Sequence, residues 1–177
     1  ISYFHSLLSS INFVDIESHY QEVLIILKRG LESYNENFNN VLNSISILTI
    51  LLDSFPDEKE SIKDHISIMV SLAENSQNLQ PNNFLMFWKN ICSFLYTTAA
   101  SNDQELVTQF HPSVFKICSL NSIPSDFKLY PLRSIWSCAG DYDRPIVHHI
   151  CELSGQLASE YVSQSHSLPY DFLFIFE

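Results

Sequence analysis

Seven histidines and four cysteines are the residues of this chain best suited to chemistry, and their spacing decides what they can do. His148, His149 and Cys151 stand as an HHxC cluster, with Cys138 earlier in the sequence. A zinc ion needs neutral imidazoles and thiolates that converge on one point. Neighbours on a helix diverge by about 100°, so His148 and His149 do not reach one ion together. The spacing favours His149 as a hydrogen-bonded core histidine instead. His19, two residues after Glu17, reads either as a solvated surface residue or as a single ligand completing a metal site whose other ligands come from a partner chain. His5, His65 and His166 lack ligand spacing, and His111 stands before Pro112 as a helix-end residue. The paired Glu-x-x-His motif of a di-iron bundle is missing. No GxSxG elbow presents a serine nucleophile. A pair such as Cys118 with His111 is what any helical protein with this many thiols and imidazoles offers by chance. Asp57, Glu58 and Glu60 read as an exposed helix start. The residues therefore predict a protein that is not an enzyme and has no resident cofactor.

Composition narrows the remaining classes. Three glycines in 177 residues argue against sandwiches, barrels and phosphate-cradling loops, which need positive φ or tight turns. The net charge is −11, and the nine basic residues, Lys28, Arg29, Lys59, Lys63, Lys89, Lys116, Lys128, Arg133 and Arg144, are scattered. Nucleic-acid binding wants several cations aimed at one phosphate track, so direct nucleic-acid contact is not expected, nor is an anionic membrane surface. Apolar runs such as Phe84–Trp88 fall far short of the roughly 20 residues a membrane span requires. The four cysteines, in apolar helical contexts, read as buried free thiols of a reducing compartment. A soluble intracellular protein is the expectation, folded as one domain over residues 1–177.

The elements follow from hydrophobic spacing. Residues 2–13 place Tyr3, Phe4, Leu7 and Leu8 on a short first helix. Asp15 is expected to cap a second, with Ile16, Tyr20, Val23, Leu24, Leu27 and Leu31 in a three-four rhythm; Gly30 inside it marks close packing or an early end. The Asn-rich NENFNN turn leads to NSISILTILLD, where apolar residues between Val41 and Leu52 fall on nearly every side of a helix. A helix of that kind is surrounded by other helices. Ser54 is the expected cap of a fourth helix bearing Ile62, Ile66, Met69, Val70 and Ala73. Pro81 opens the next, which holds Phe84, Phe87, Trp88, Ile91, Phe94 and Leu95. Ser101 and Gln104 suggest a capping box for a helix through Phe110, and Pro112 a break or kink before VFKICSL. A weaker helical piece follows Pro124, Pro131 opens LRSIWSCA, and Asp143 caps a last long helix. The tail YDFLFIFE is a short helix or a strand that must dock on its own domain or on a partner. The prediction is an all-α fold: a single globular bundle of about nine helices around a buried central helix.

The aromatic helix from Phe84 to Tyr96 (with Phe84, Phe87 and Trp88) and the first helix (Tyr3, Phe4, Leu7, Leu8) are core, or in part walls of a groove for a partner helix, or a two-fold dimer seam. An acidic, Gly-poor chain of this helical pattern, opening on SYFHSLLSSINFVDIESHYQEVLIIL, resembles the telomeric repeat factor homology (TRFH-like) domains. More narrowly, it looks like the bridging subunits of shelterin. The resemblance implies a nuclear homodimer without direct nucleic-acid contact, linking double-strand-side to single-strand-side telomere proteins through short partner peptides. It also implies His19 as the residue to contribute to one zinc shared with a partner chain. Two other readings stand beside it. A Bcl-2-like helical domain would bind signalling proteins or BH3 helices, although the tryptophan contexts MFWKN and SIWSC do not give its NWGR-like segment. An α-solenoid scaffold segment is the other, which a helix apolar all round does not suit.

Overall fold

The structure is a computed structural model and describes residues 18–100, 104–136 and 144–163. Among the described residues every regular element is helical and no strand is present: seven α-helices of nine residues or more, one of five, and three 3-10 segments. The all-α class is the one the sequence predicts. The expected helix over 2–13 and the tail 170–177 lie outside the described residues. The chain forms two compact units, residues 1–72 and 73–177.

The first unit is built on a helical hairpin. α1 (Tyr20–Glu32) buries Tyr20, Val23, Leu24, Leu27, Gly30 and Leu31, the expected three-four face. Tyr20 is its first residue, and His19 holds the N-cap position at φ −120°, ψ 17° with no side-chain capping bond; Asp15, the expected cap, lies outside the described residues. Gly30 does not end it. A 3-10 turn at Ser33–Asn35 leads to α2 (Phe38–Ser54), and Asn37 caps α2 from an extended backbone by accepting the Asn39 N–H at 3.1 Å. Tyr20 lies edge-on to Phe55 with centroids 5.6 Å apart, which joins the open ends of the two helices and makes them antiparallel.

α2 buries Val41, Ser44, Ile45, Ile47, Leu48, Leu51 and Leu52. At 100° per residue these cover an arc of roughly 160°, not the whole circumference. Ile50, on the opposite side, is 41 % exposed, and Leu42 is half-buried. The helix is a core helix whose surround is incomplete. Ser54 does not cap the next element, because its hydroxyl donates back to the Ile50 carbonyl at 2.8 Å. Pro56 instead starts a 3-10 segment, Pro56–Ile62, with non-helical backbone at Glu58, and α3 (Lys63–Glu74) begins only after it. Lys28 on α1 donates to Asp64 at 2.9 Å. The His65 imidazole Nε2 donates to the Leu24 carbonyl at 2.8 Å, so α3 is tied to α1 by one exposed and one buried contact.

In the second unit a 3-10 turn, Ser76–Asn78, precedes α4 (Pro81–Ala100). Pro81 stands first in the helix, where its missing N–H costs nothing. α5 (Gln104–Thr108) and α6 (His111–Ser119) follow; Pro112 lies in the first turn of α6 rather than breaking a longer helix. α7 (Ser125–Trp136) is continuous through Pro131, where two separate pieces were expected. An interior proline costs on the order of 3 kcal/mol, and the apolar contacts of Leu129, Leu132 and Ile135, all buried, hold the helix through it. α7 packs on α4, α6 and α8 (Arg144–Ser163), which makes it the hub of this unit. Its core joins Phe87, Trp88, Ile91 and Phe94 of α4 with Val114 and Ile117 of α6 and with Ile150, Leu153 and Leu157 of α8.

Candidate functional site

The packing of α4 against α7 leaves a groove of about 590 Å³ along their outer edge. While α4 turns Phe87, Trp88, Ile91, Phe94 and Leu95 into the core, its other flank presents Lys89, Cys92, Ser93 and Tyr96. Those positions follow i, i+3, i+4, i+7, one face of a helix. α7 answers with Tyr130, Arg133 and Trp136, three apart, from the far wall. The lining is mainly aromatic and aliphatic surface. Tyr96 is 64 % exposed, and Trp136 is half-buried.

Two cations stand in this apolar setting, one on each wall. The Lys89 ammonium lies 5.4 Å from the centre of the Tyr130 ring, a cation–π distance that holds the charge across the groove against the α7 wall. Arg133 is exposed on the opposite wall. No carboxylate and no histidine is among the described lining residues. The volume lies within the ~300–1,000 Å³ of sites that take small ligands, so it suits a few side chains of a peptide better than a whole helix. Its chemistry is that of exposed aromatic rings, two cations and one thiol, Cys92. Cys118, elsewhere in the unit, is inert, since burial pushes its thiol up to about 12.

A second cavity, about 330 Å³, is polar and lies beside Asn121, Ser125, Asp126, Lys128 and Glu160. Its charges answer each other: the buried Lys128 ammonium is 3.9 Å from Glu160, and the Ser125 hydroxyl donates to the same carboxylate at 2.8 Å. A third, about 170 Å³, is bordered by Pro81, Phe84, Pro124 and Phe127.

The residues singled out by sequence fall in different places. Phe87 and Trp88 are fully buried and Phe84 is 4 % exposed, so these three form core and not the walls of an open groove; Phe84 alone reaches the edge of the third cavity. The reason is that α4 turns its two apolar flanks in different directions, and the larger aromatics went inside. Tyr3, Phe4, Leu7 and Leu8 lie outside the described residues. His19 is exposed, its Nδ1 3.8 Å from Glu22. Among the described residues no three His, Cys, Asp or Glu side chains gather closely enough to hold a metal. His149 is not a core histidine. Its side chain is exposed, edge-on to Phe115 at 4.3 Å, and lies 3.9 Å from Glu152. His148 contacts the same carboxylate at 3.7 Å, and Cys151 is exposed beside them.

Of the groove residues, Tyr96 belongs to the aromatic helix that the sequence offers as a groove wall; Lys89, Tyr130, Arg133 and Trp136 are not singled out by the sequence, although the three-residue spacing along α7 is visible in it. No protein-family model matches the chain, and no curated protein or solved structure matches it either.

Proposed function

We propose that this protein is a non-enzymatic adaptor that binds short partner peptides in helical grooves, and that the α4–α7 groove is one such surface. The observation that carries this reading is the groove itself: exposed aromatics and two opposed cations on packed helices, with no histidine or carboxylate among its described lining residues. Rigid helices presenting an aromatic-lined cleft are a recurring way to recognise peptides. The resemblance to TRFH-like domains supplies the biological setting of the proposal. The partners are telomere (shelterin) proteins of the double-strand and single-strand sides, bridged in the nucleus by a homodimer, with His19 sharing a zinc ion with one partner chain. The scattered cations of the sequence agree with a bridge that does not itself touch nucleic acid. No helix among the described residues is long and apolar enough to cross a membrane.

The test is affinity purification of the intact protein beside a Lys89→Glu/Arg133→Glu variant, with bound proteins quantified by mass spectrometry. Telomere subunits on the native chain, depleted by about tenfold on the variant, are the expected result. Equal recovery on both rejects the groove as a working surface. Apoptotic proteins in their place favour the Bcl-2-like reading. In the same experiment His19→Ala weakens one partner and leaves the others; unchanged recovery of all of them removes His19 from the site.

A further inference from the structure

We infer that the outer face of α1 is an antiparallel two-fold seam at which two copies of this chain pair. α1 carries two stripes at the same spacing. Tyr20, Val23, Leu24 and Leu27, at i, i+3, i+4 and i+7, are buried in the first unit. Glu22, Ile25, Ile26 and Arg29 repeat that spacing on the opposite side of the helix, and all four are exposed. Ile25 leaves 54 % of its surface in solvent and Ile26 41 %. Single exposed apolar side chains are ordinary; among the large exposed ones described, these two are the adjacent pair and the others stand singly. The inference rests on the homodimer of the reading above. It adds which face closes that dimer, and in which direction.

The charges on the stripe select the occupant. Glu22 and Arg29 stand equally far on either side of the point midway between Ile25 and Ile26, about 5 Å along the helix axis in each direction. A second α1 laid antiparallel across that point sets its Arg29 against Glu22 and its Glu22 against Arg29, with the isoleucines of both copies packed between the two ion pairs. That packing removes apolar surface from water. A parallel copy would set acid against acid and base against base, which is unfavourable. Self-complementarity of this kind is what an isologous contact requires, each pairing occurring twice about one axis. Lys28 is committed elsewhere, its ammonium donating to Asp64 at 2.9 Å. The Glu22 carboxylate lies 3.8 Å from the His19 imidazole, an exposed contact worth little that pairing with a second copy can replace. One helix from each copy is a small seam beside the roughly 1,600 Å² of a standard interface, so the pairing it supports by itself is reversible, in the micromolar range.

The experiment is sedimentation equilibrium of the intact protein over roughly 1–500 μM. The expected result is a monomer–dimer equilibrium that depends on concentration. Ile25→Ser/Ile26→Ser, Glu22→Arg and Arg29→Glu each weaken the dimer about tenfold or more, with the helical circular dichroism unchanged. The exchange variant Glu22→Arg/Arg29→Glu restores the antiparallel pairing and recovers the native dissociation constant to within about threefold. It opposes the helix dipole as much as the two single reversals together, so recovery reports the pairing and not the stability of α1. A chain that stays monomeric over the whole range overturns the seam. A dimer that none of the variants weakens also overturns it, and leaves the homodimer to another face. An exchange variant as weak as the single reversals overturns the antiparallel arrangement. Capture of partners through the α4–α7 groove is read separately with Lys89→Glu/Arg133→Glu, so failure of the adaptor reading and failure of the seam are distinguishable.

Discussion

His65 shows how one residue can be read only after folding. Its Nε2 donates to the Leu24 carbonyl at 2.8 Å, while its Nδ1 is buried with no hydrogen-bond partner. A proton added at Nδ1 would be an unsatisfied buried charge, and burial accordingly holds the imidazole below its ordinary range. His111, buried against Phe115, is pushed the same way by burial. For both, the unfolded chain binds protons more readily than the native one. Their contribution to stability is therefore complete above the unfolded histidine pKa of about 6.5, and it falls as the pH drops below that value. The melting temperature should decrease on going from neutral pH to about 5, and His65→Gln, which keeps a donor for Leu24 but does not titrate, should show a shallower decrease. An identical acid slope in wild type and variant would remove His65 from this account. In the sequence His65 was merely a histidine without ligand spacing, since a bond to a carbonyl on another helix leaves no local pattern. His149 was misread for the converse reason: its helical spacing places it near the apolar stripe, yet the ring stays outside, leaning on Phe115 and Glu152.

At the scale of elements, the best-supported structural claim is that α2 is a core helix. Leu48 has no exposed surface, so Leu48→Ala should destabilise by about 2–5 kcal/mol. Leu48→Asp, which buries an unpaired charge, should abolish cooperative folding; a soluble mutant with a sharp melting transition would contradict this. The joint between the Ser76 turn and α4 gives a finer test. The Trp88 indole N–H donates to the Ser76 hydroxyl at 3.2 Å, and that hydroxyl donates to the Ala73 carbonyl at 2.7 Å. Ser76→Ala leaves the buried indole without its acceptor and should lower stability by about 1–3 kcal/mol, measured by urea denaturation; no change would mean that the bond is not formed in solution. Element identities were legible because helical periodicity and capping are local, as at Asn37 and Pro81. Boundaries were not, where a tertiary contact decides. Ser54 turns back on its own helix, Pro56 forces a 3-10 passage, and α7 runs through Pro131 because its buried face outweighs a propensity that sequence alone would obey.

For the molecule as a whole, the sequence supported the all-helical class that the structure shows, and it located the aromatic helix on which the candidate site stands. It could not choose between the flanks of that helix. Phe84, Phe87 and Trp88 are larger and more apolar than Lys89, Cys92, Ser93 and Tyr96, which makes them the natural choice for a binding wall and equally for a core. Only the packing of α7 on α4 shows which flank closes and which stays open, because Tyr130, Arg133 and Trp136 come to it from more than thirty positions away.

The adaptor account is tested most directly by hydrogen–deuterium exchange on the protein alone and saturated with a peptide selected for binding to it. It predicts slowed exchange confined to the backbone around residues 89–96 of α4 and 130–136 of α7. Protection at the exposed isoleucines Ile25 and Ile26 of α1, with none along α4 and α7, would contradict it.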